Sequence, residues 1–329
     1  MIWSASGFRQ VGARTLTESQ MNTANRVQDR KPPLVSVGIP TFNRLIMLRR
    51  AVDSALSQDY PNLEVVISDN ASTDGTQAWC EQLARRDSRL RYVRQPTNVG
   101  AFANFARVFE LSRGSLYMVL GDDDWLESTY VSRCSEVLLA HTETATVCGT
   151  PRMFRDDQFL YEGRKMNLLQ GTSTERVAAY FWQVGENVPF HGLMRRAVLA
   201  RLPVMPEVLG GDWLFVAWLA FLGKIQTLDD TAIYKSVRGT TGSWQKVASH
   251  TRLGAFATKI PYVLIMDAVF RDIAWASPAY ASAGRLGRIW LACLVTAVLL
   301  GKFSLWSAAV IVKSVWYRFT ERAFPLRAG

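Results

Sequence analysis

Short apolar runs alternate with amphipathic stretches through the first third of the chain. Residues 35–39, 63–67, 90–94 and 116–120 are runs of about strand length rich in Val, Ile, Leu and Tyr, the pattern of strands buried on both faces. Between the first two, Leu45, Leu48, Val52, Ala55 and Leu56 recur at helical spacing, which predicts a helix from Asn43, as its cap, to about Gln58. Asp69 to Gly75 reads as a turn into a second helix ending near Arg86, and 98–111 as a third helix. Strands alternating with helices predict a parallel sheet with right-handed crossovers. Ligands of such sheets bind beyond the carboxyl ends of the strands, and Thr41, Asp69 and the run 122–124 all fall at that edge.

Beyond 145–149 the periodicity loosens. Residues 190–196 lead into a short helix, Gly210, Gly211 and Asp212 precede an apolar helix over 213–222, and 225–228 and 232–235 read as short strands. The block 289–312 is apolar over a length that could cross a bilayer, but Gly301-Lys302 interrupts it. A charge at mid-membrane is costly, so two shorter helices lying in the interface are expected; a buried helical pair is the competing reading. Residues 1–33 are polar, basic and aperiodic, and read as a disordered lead-in. The expected organisation is 1–33 as lead-in, 34–240 as the α/β domain and 241–329 as a basic, helical, membrane-associating segment.

Charge sharpens that last expectation. The chain carries +10 formally, and residues 235–329 hold 13 Lys+Arg against 3 Asp+Glu, which accounts for the whole excess. Cations around the most apolar block, with Trp290, Trp306 and Trp316 among them, fit an anionic membrane surface better than nucleic acid. The four cysteines have no CxxC or Cys/His spacing, so neither a zinc site nor a disulfide framework is expected and reduced thiols are. The first residues contain no apolar run of signal-peptide length. The expected location is the cytoplasmic face of the inner membrane, peripheral or held by the C-terminal segment.

The candidate chemistry centres on Gly121-Asp122-Asp123-Asp124-Trp125. Three carboxylates at a strand's end raise one another's pKa unless a cation neutralises them. Oxygen-only ligands suit Mg²⁺ or Mn²⁺ bridging protein to a diphosphate; a turn or helix cap needs only one Asp.

This run, together with 37–44 (Val-Gly-Ile-Pro-Thr-Phe-Asn-Arg), 68–76 (Ser-Asp-Asn-Ala-Ser-Thr-Asp-Gly-Thr) and Asn98-Val99-Gly100, resembles the family 2 glycosyltransferases of the GT-A fold over roughly 34–240, in the branch that builds bacterial envelope polysaccharides and O-antigens. The resemblance implies an inverting, metal-dependent transfer of a sugar from a nucleotide-diphosphate donor, UDP or dTDP, to a glycan or lipid-linked acceptor. It implies a nucleotide-sugar site of Pro40, Thr41, Asn43, Arg44, Asp69, Asp122, Asp123, Lys235 and Arg238, with Asp69 accepting from the nucleobase, and a metal held by Asp124 or Asp123. It makes Asp212 the base that deprotonates the acceptor, and sets His191 and Gly192 beside the acceptor, Gly192 leaving room through its missing side chain. The family's Asp-x-Asp-Asp pattern has Gly121 in its first place, and its Glu-Asp pair keeps only Asp212. Each residue has a plainer reading too: Asp69 as a turn former, Arg44 as solvent-exposed, His191 as structural, and Asp212 as a helix N-cap, where the helix terminus would lower its pKa. Two other functions stay open: a sugar nucleotidyltransferase, whose Gly-rich loop is missing after the first strand, and a non-catalytic nucleotide-sugar-binding or scaffold protein.

Overall fold

The computed structural model describes residues 31–155, 157–237 and 260–323, with side chains to Leu305. The predicted strands form: β1 (Val35–Thr41), β2 (Leu63–Asp69), β3 (Leu90–Arg94) and β4 (Leu116–Val119). All residues of β1, β2 and β4 are buried, as strands covered on both faces must be. Further along come β5 (Trp125–Leu126), β6 (Thr144–Arg155), β7 (Gln158–Glu162), β8 (Leu193–Arg195) and β9 (Lys224–Ser236). Among the described residues these nine make one mixed sheet ordered β3-β2-β1-β4-β8-β6-β9-β5, with β7 hydrogen-bonded to the outer part of β6. The β3-β2-β1-β4 half is parallel, and β8 enters antiparallel to both β4 and β6. The expected strands at 225–228 and 232–235 are one strand, β9, irregular between them where it pairs with β6.

Helices cover the sheet. Leu45–Leu56 buries Leu48, Ala51, Val52 and Ala55, the predicted stripe. Its start differs from expectation. Asn43 has φ +53 and does not cap; the first helical N–H, that of Leu45, is bound by the Asp74 carboxylate from the neighbouring turn at 2.9 Å. Thr76–Arg86 and Ala101–Leu111 follow. Ser173–Gln183 opens on a reciprocal capping box between Thr172 and Glu175. Gly211–Leu222 is apolar all round and sits in the core, with Trp218 at 1% exposure.

The C-terminal segment departs most from expectation. Gly284–Ala323 is one continuous helix, unbroken at Gly301-Lys302. Lys302 does not lie loose in an apolar stretch: its ammonium donates to the carbonyls of Phe181 and Val184, capping the end of Ser173–Gln183. Leu291, Val295, Leu299 and Phe303, four residues apart, are buried in the cluster that also holds Val216, Leu219 and Tyr280. The C-terminal helix therefore shares a core with the second half of the α/β domain. Its other face keeps Leu286, Trp290, Leu300 and Leu305 exposed, Leu286 at 83%. By length and composition 278–305 could cross a membrane.

Asp272 tests that shared core. It accepts from the Trp218 indole at 2.7 Å, and burial lifts its carboxyl from 3.8 to about 6 against the opposing effects of that hydrogen bond and of Arg288. The native state therefore holds a proton that the unfolded chain has already released, so this group favours folding most at low pH, and the advantage is lost as pH rises through about 6. Asp272→Asn keeps an acceptor for Trp218. Urea unfolding should show the variant gaining on the wild type by on the order of 1–3 kcal/mol between about pH 4 and pH 8; parallel pH profiles would contradict the assignment.

Candidate active site

The carboxyl ends of β1, β2 and β4 form one hydrogen-bonded rim. Asn104 donates to the Ser68 carbonyl at 2.9 Å, and Asn70 ties its own turn to the next loop through Asn98 Oδ1 at 2.7 Å and the Val99 N–H at 2.8 Å. Asn43 binds the Thr73 N–H across the rim at 2.7 Å. The asparagines of the sequence motifs thus fasten loops to one another. Pro40 is buried within β1, paired with Ser68.

The three carboxylates that follow β4 are neutralised from both sides by the protein itself. Asp122 accepts from Thr41 Oγ1 at 2.8 Å and from Arg44 Nη1 at 3.1 Å; the same guanidinium reaches Asp123 at 3.3 Å. Asp124 is held by Lys235 at 2.5 Å and by the Ser236 N–H at 3.2 Å. Arg44 is thus paired with two of the carboxylates and is not a loose surface cation; part of the cation that the run calls for is supplied by the chain itself. The neutralisation is incomplete. Burial pushes Asp122 up to about 6 although Arg44 opposes it, and burial and then Asp124 push Asp123 upward. Two cations facing three acids leave a site that still favours positive charge.

Among the described residues no three His, Cys, Asp or Glu side chains form a metal-binding group. Two carboxylate oxygens nevertheless converge above Gly121: a Cβ there would lie 3.0 Å from both Asp123 Oδ1 and Asp124 Oδ2. The glycine at the first acidic position clears the space those oxygens flank. Mg²⁺ commonly takes one or two carboxylates and completes its shell with water and substrate phosphate, so Asp123 Oδ1, with Asp124 Oδ2 once Lys235 lets it go, fits such an ion.

Asp69 does not face the crevice as expected. It is 0% exposed; Oδ1 accepts the Ser72 N–H at 2.9 Å and Oδ2 the Tyr92 hydroxyl at 2.7 Å. The carboxylate closes the turn after β2, and Arg94 Nε makes a long ion pair with Oδ2 at 3.9 Å. Gly192 is also corrected: a Cβ there would meet Thr146 Oγ1 at 2.3 Å and the Val147 carbonyl at 3.0 Å, so its bareness serves packing against β6 and leaves no room for an acceptor. His191 sits with Nδ1 3.1 Å from the Val119 carbonyl. A carbonyl only accepts, so Nδ1 carries the hydrogen and Nε2 keeps its lone pair. Burial, and then Lys235, push this imidazole down to about 3, which makes it neutral.

Asp212 lies in the first turn of Gly211–Leu222, and Gly210, at φ +76, is the N-cap. Asp212 is therefore not the capping residue. Its pKa moves upward, because burial outweighs the hydrogen bonds from Asn187 and the helix N–H groups. Oδ2 accepts from Asn187 Nδ2 at 2.8 Å, and Asn187 Oδ1 accepts from the buried Tyr180 hydroxyl at 2.8 Å. Sequence reasoning missed Asn187; the one available signal was an Asn in a Gly-Glu-Asn loop, suited to the left-handed backbone it adopts at φ +48. Lys235 lies at the end of β9 as expected, and Arg238 lies outside the described residues.

Comparison with known proteins gives the family and the fold. The model of glycosyl transferase family 2 matches residues 36–202, more than half of the chain. A Campylobacter jejuni GalNAc(5)-diNAcBac-PP-undecaprenol beta-1,3-glucosyltransferase is 35% identical over 101 residues, 30% of this chain and 33% of that protein. A putative colanic acid biosynthesis glycosyl transferase of Escherichia coli is 35% identical over 111 residues, 34% of this chain and 38% of that protein. The match thus spans about a third of each relative's length. A mannosyltransferase of Pyrobaculum calidifontis, solved with GDP-Man and Mn2+, shares the fold: TM-score 0.54 at 18% identity, over 90% of this chain and 86% of that one.

Gly192→Ala distinguishes packing from acceptor space. The added methyl must push Thr146 or the β6 backbone aside, and overpacking of this kind costs about 1–3 kcal/mol. Thermal unfolding should show that loss, with a partial recovery in Gly192→Ala combined with Thr146→Ala; unchanged stability would restore the open-space reading.

Proposed function

Because the chain belongs to glycosyl transferase family 2, we propose that it transfers a sugar from a nucleotide-diphosphate donor to a hydroxyl of a glycan or lipid-linked acceptor, with inversion, in polysaccharide synthesis. The observation that carries this reading is the carboxylate run after β4, gripped by Arg44 on one side and Lys235 on the other. Both cations stand where a diphosphate must come, and each holds an acid that can release it to phosphate oxygens. Asp123 and Asp124 would hold Mg²⁺ or Mn²⁺, whose contribution is Lewis-acid stabilisation of the departing diphosphate. Thr41 and Arg44 orient Asp122 at the floor of the donor site. Asp69 with Tyr92 shapes the nucleobase end of that site. UDP or dTDP is the proposed nucleotide class, with GDP in the comparison because the mannosyltransferase neighbour binds GDP-Man.

Asp212 is the proposed base. A carboxylate lifted by burial takes a proton more readily than an exposed one. It removes the acceptor hydroxyl proton as the oxygen attacks the anomeric carbon on the face opposite the diphosphate, so one displacement inverts the centre. Neutral His191 is an acceptor-side hydrogen-bonding group through Nε2. The exposed apolar face of Gly284–Ala323 and the basic 235–329 segment support an anionic membrane as the proposed location, with the cytoplasmic side, where nucleotide sugars are made, as the proposed face.

Three measurements test this reading. Thermal stabilisation by UDP-, dTDP-, GDP- and CDP-sugars with Mn²⁺ should single out one nucleotide, and EDTA, Asp123→Ala or Asp124→Ala should abolish turnover of that donor; full turnover in EDTA would remove the metal. Asp212→Asn should lower turnover by about two to four orders of magnitude with donor affinity nearly kept, and the product's anomeric NMR signal should be inverted; retention would exclude single displacement. In flotation, the full-length protein should rise with anionic vesicles, and Leu286→Glu with Trp290→Glu should leave it at the bottom; equal flotation of both would move the membrane contact elsewhere.

A further inference from the structure

A cavity of mixed charged and apolar lining lies beside Asn187, the residue that holds Asp212. Its volume is about 320 Å³, and it is lined by Arg164, Trp182, Glu186, Asn187 and Lys302 among others. Asn187 is a wall of this cavity and also the residue that holds Asp212 at 2.8 Å. The cavity thus reaches the proposed base through a single side chain.

The charges in it are unusual for a purely structural recess. Arg164 and Lys302 come from distant parts of the chain and lie close enough to repel each other. Among the described residues neither has a carboxylate ion-pair partner. Lys302 is satisfied by the Phe181 and Val184 carbonyls and stands 5.4 Å from the Trp213 ring; Arg164 reaches only the Gln183 carbonyl, at 3.4 Å. The one acid in the lining, Glu186, accepts the Arg164 backbone N–H at 3.1 Å and interacts with the Tyr161 hydroxyl. Two cations against one committed carboxylate leave the cavity positive. Trp182 is 47% exposed at its wall, an aromatic face of the kind that packs on sugar rings.

We propose that this cavity is the acceptor subsite for a phosphate or diphosphate group, with Arg164 and Lys302 as its anion-binding residues and Trp182 as the platform for the adjoining sugar. The proposal rests on the transfer reading given above, which it deepens by naming the acceptor class: a sugar joined to a diphosphate within reach of the base. Lys302 belongs to Gly284–Ala323, the helix whose outer face is apolar. The same helix that offers an apolar surface therefore supplies one of the cations, which is the arrangement a lipid-linked diphosphate requires: tail on the outer face, diphosphate at the lysine, sugar toward Asp212.

Calorimetric titration of the full-length protein without donor tests this, using inorganic pyrophosphate and farnesyl diphosphate as probes. With EDTA present a single class of pyrophosphate site is expected, because the acidic run repels an anion that brings no cation. Arg164→Gln should weaken that site at least about tenfold. Arg164 is exposed, so its replacement spares the core; Lys302→Met, which also loses a helix cap, should act in the same direction in protein shown by circular dichroism to be folded. Identical isotherms for wild type and Arg164→Gln overturn the proposal. Farnesyl diphosphate should occupy the Arg164-dependent site at least as tightly as pyrophosphate; its exclusion would leave a free-anion site and overturn the acceptor assignment. No donor is present, so these outcomes are independent of turnover, and a protein that hydrolyses or transfers no nucleotide sugar would defeat the transfer reading while leaving the titration intact.

Discussion

Confining three carboxylates after a single buried strand is the constraint on which the candidate site depends. Repulsion among Asp122, Asp123 and Asp124 in a half-dry crevice is severe, since like charges there are poorly screened. Arg44 and Lys235 relieve it, and they come from opposite ends of the α/β domain: one follows β1, the other closes β9. Holding the acids apart therefore requires β1, β4 and β9 to be assembled together. The mixed sheet does this, with β8 and β6 inserted between β4 and β9. Charge balance at the rim and strand order are parts of one solution. The balance is also short of complete, with Asp122 and Asp123 both pushed upward, which is what the proposed metal and diphosphate would relieve.

The division of the chain follows from the same order. The parallel half, β3-β2-β1-β4, ends in asparagine-laced loops that a nucleotide can approach. The second half contributes the buried apolar helix that carries Asp212 and the 3₁₀ turn that carries His191. A base at a helix N-terminus ordinarily loses basicity to the terminal N–H groups. Here desolvation outweighs them, and Asn187, itself fixed by Tyr180, keeps the carboxylate from turning away. For the proposed base, burial would supply basicity and the Asn187 contact direction.

What the sequence made legible was local. The four parallel strands, the apolar stripe 45–56 and the acidic run could be read because each is a contiguous pattern with a fixed period, and β1 through β4 form nearly where that pattern puts them. What it concealed was pairing across distance. Nothing near Asp74 marks it as the cap of a helix beginning at Leu45, and nothing near Lys302 marks its carbonyl partners at Phe181 and Val184. Asp69 and Gly192 were misplaced for one reason: the position of each in the fold was right, but which way a side chain or its absence points depends on neighbours such as Tyr92 and Thr146 from other strands.

The lysine at 302 shows how such a pairing changes the meaning of a pattern. Alone in an apolar block, a charge argues that the helix must break or that the block cannot lie in lipid. Once its ammonium caps a neighbouring helix, the charge is turned inward, on the side of Leu299 and Phe303, and the outward face of Gly284–Ala323 is left to Leu286, Trp290, Leu300 and Leu305. The helix can then be continuous, packed into the domain along one side and apolar along the other. A separate anchor joined by a linker would leave the distance between Asp212 and any surface it bound loose. A helix that shares the core of Gly211–Leu222 fixes it, because any surface that the outer face binds is held in register with Asp212 through packed side chains.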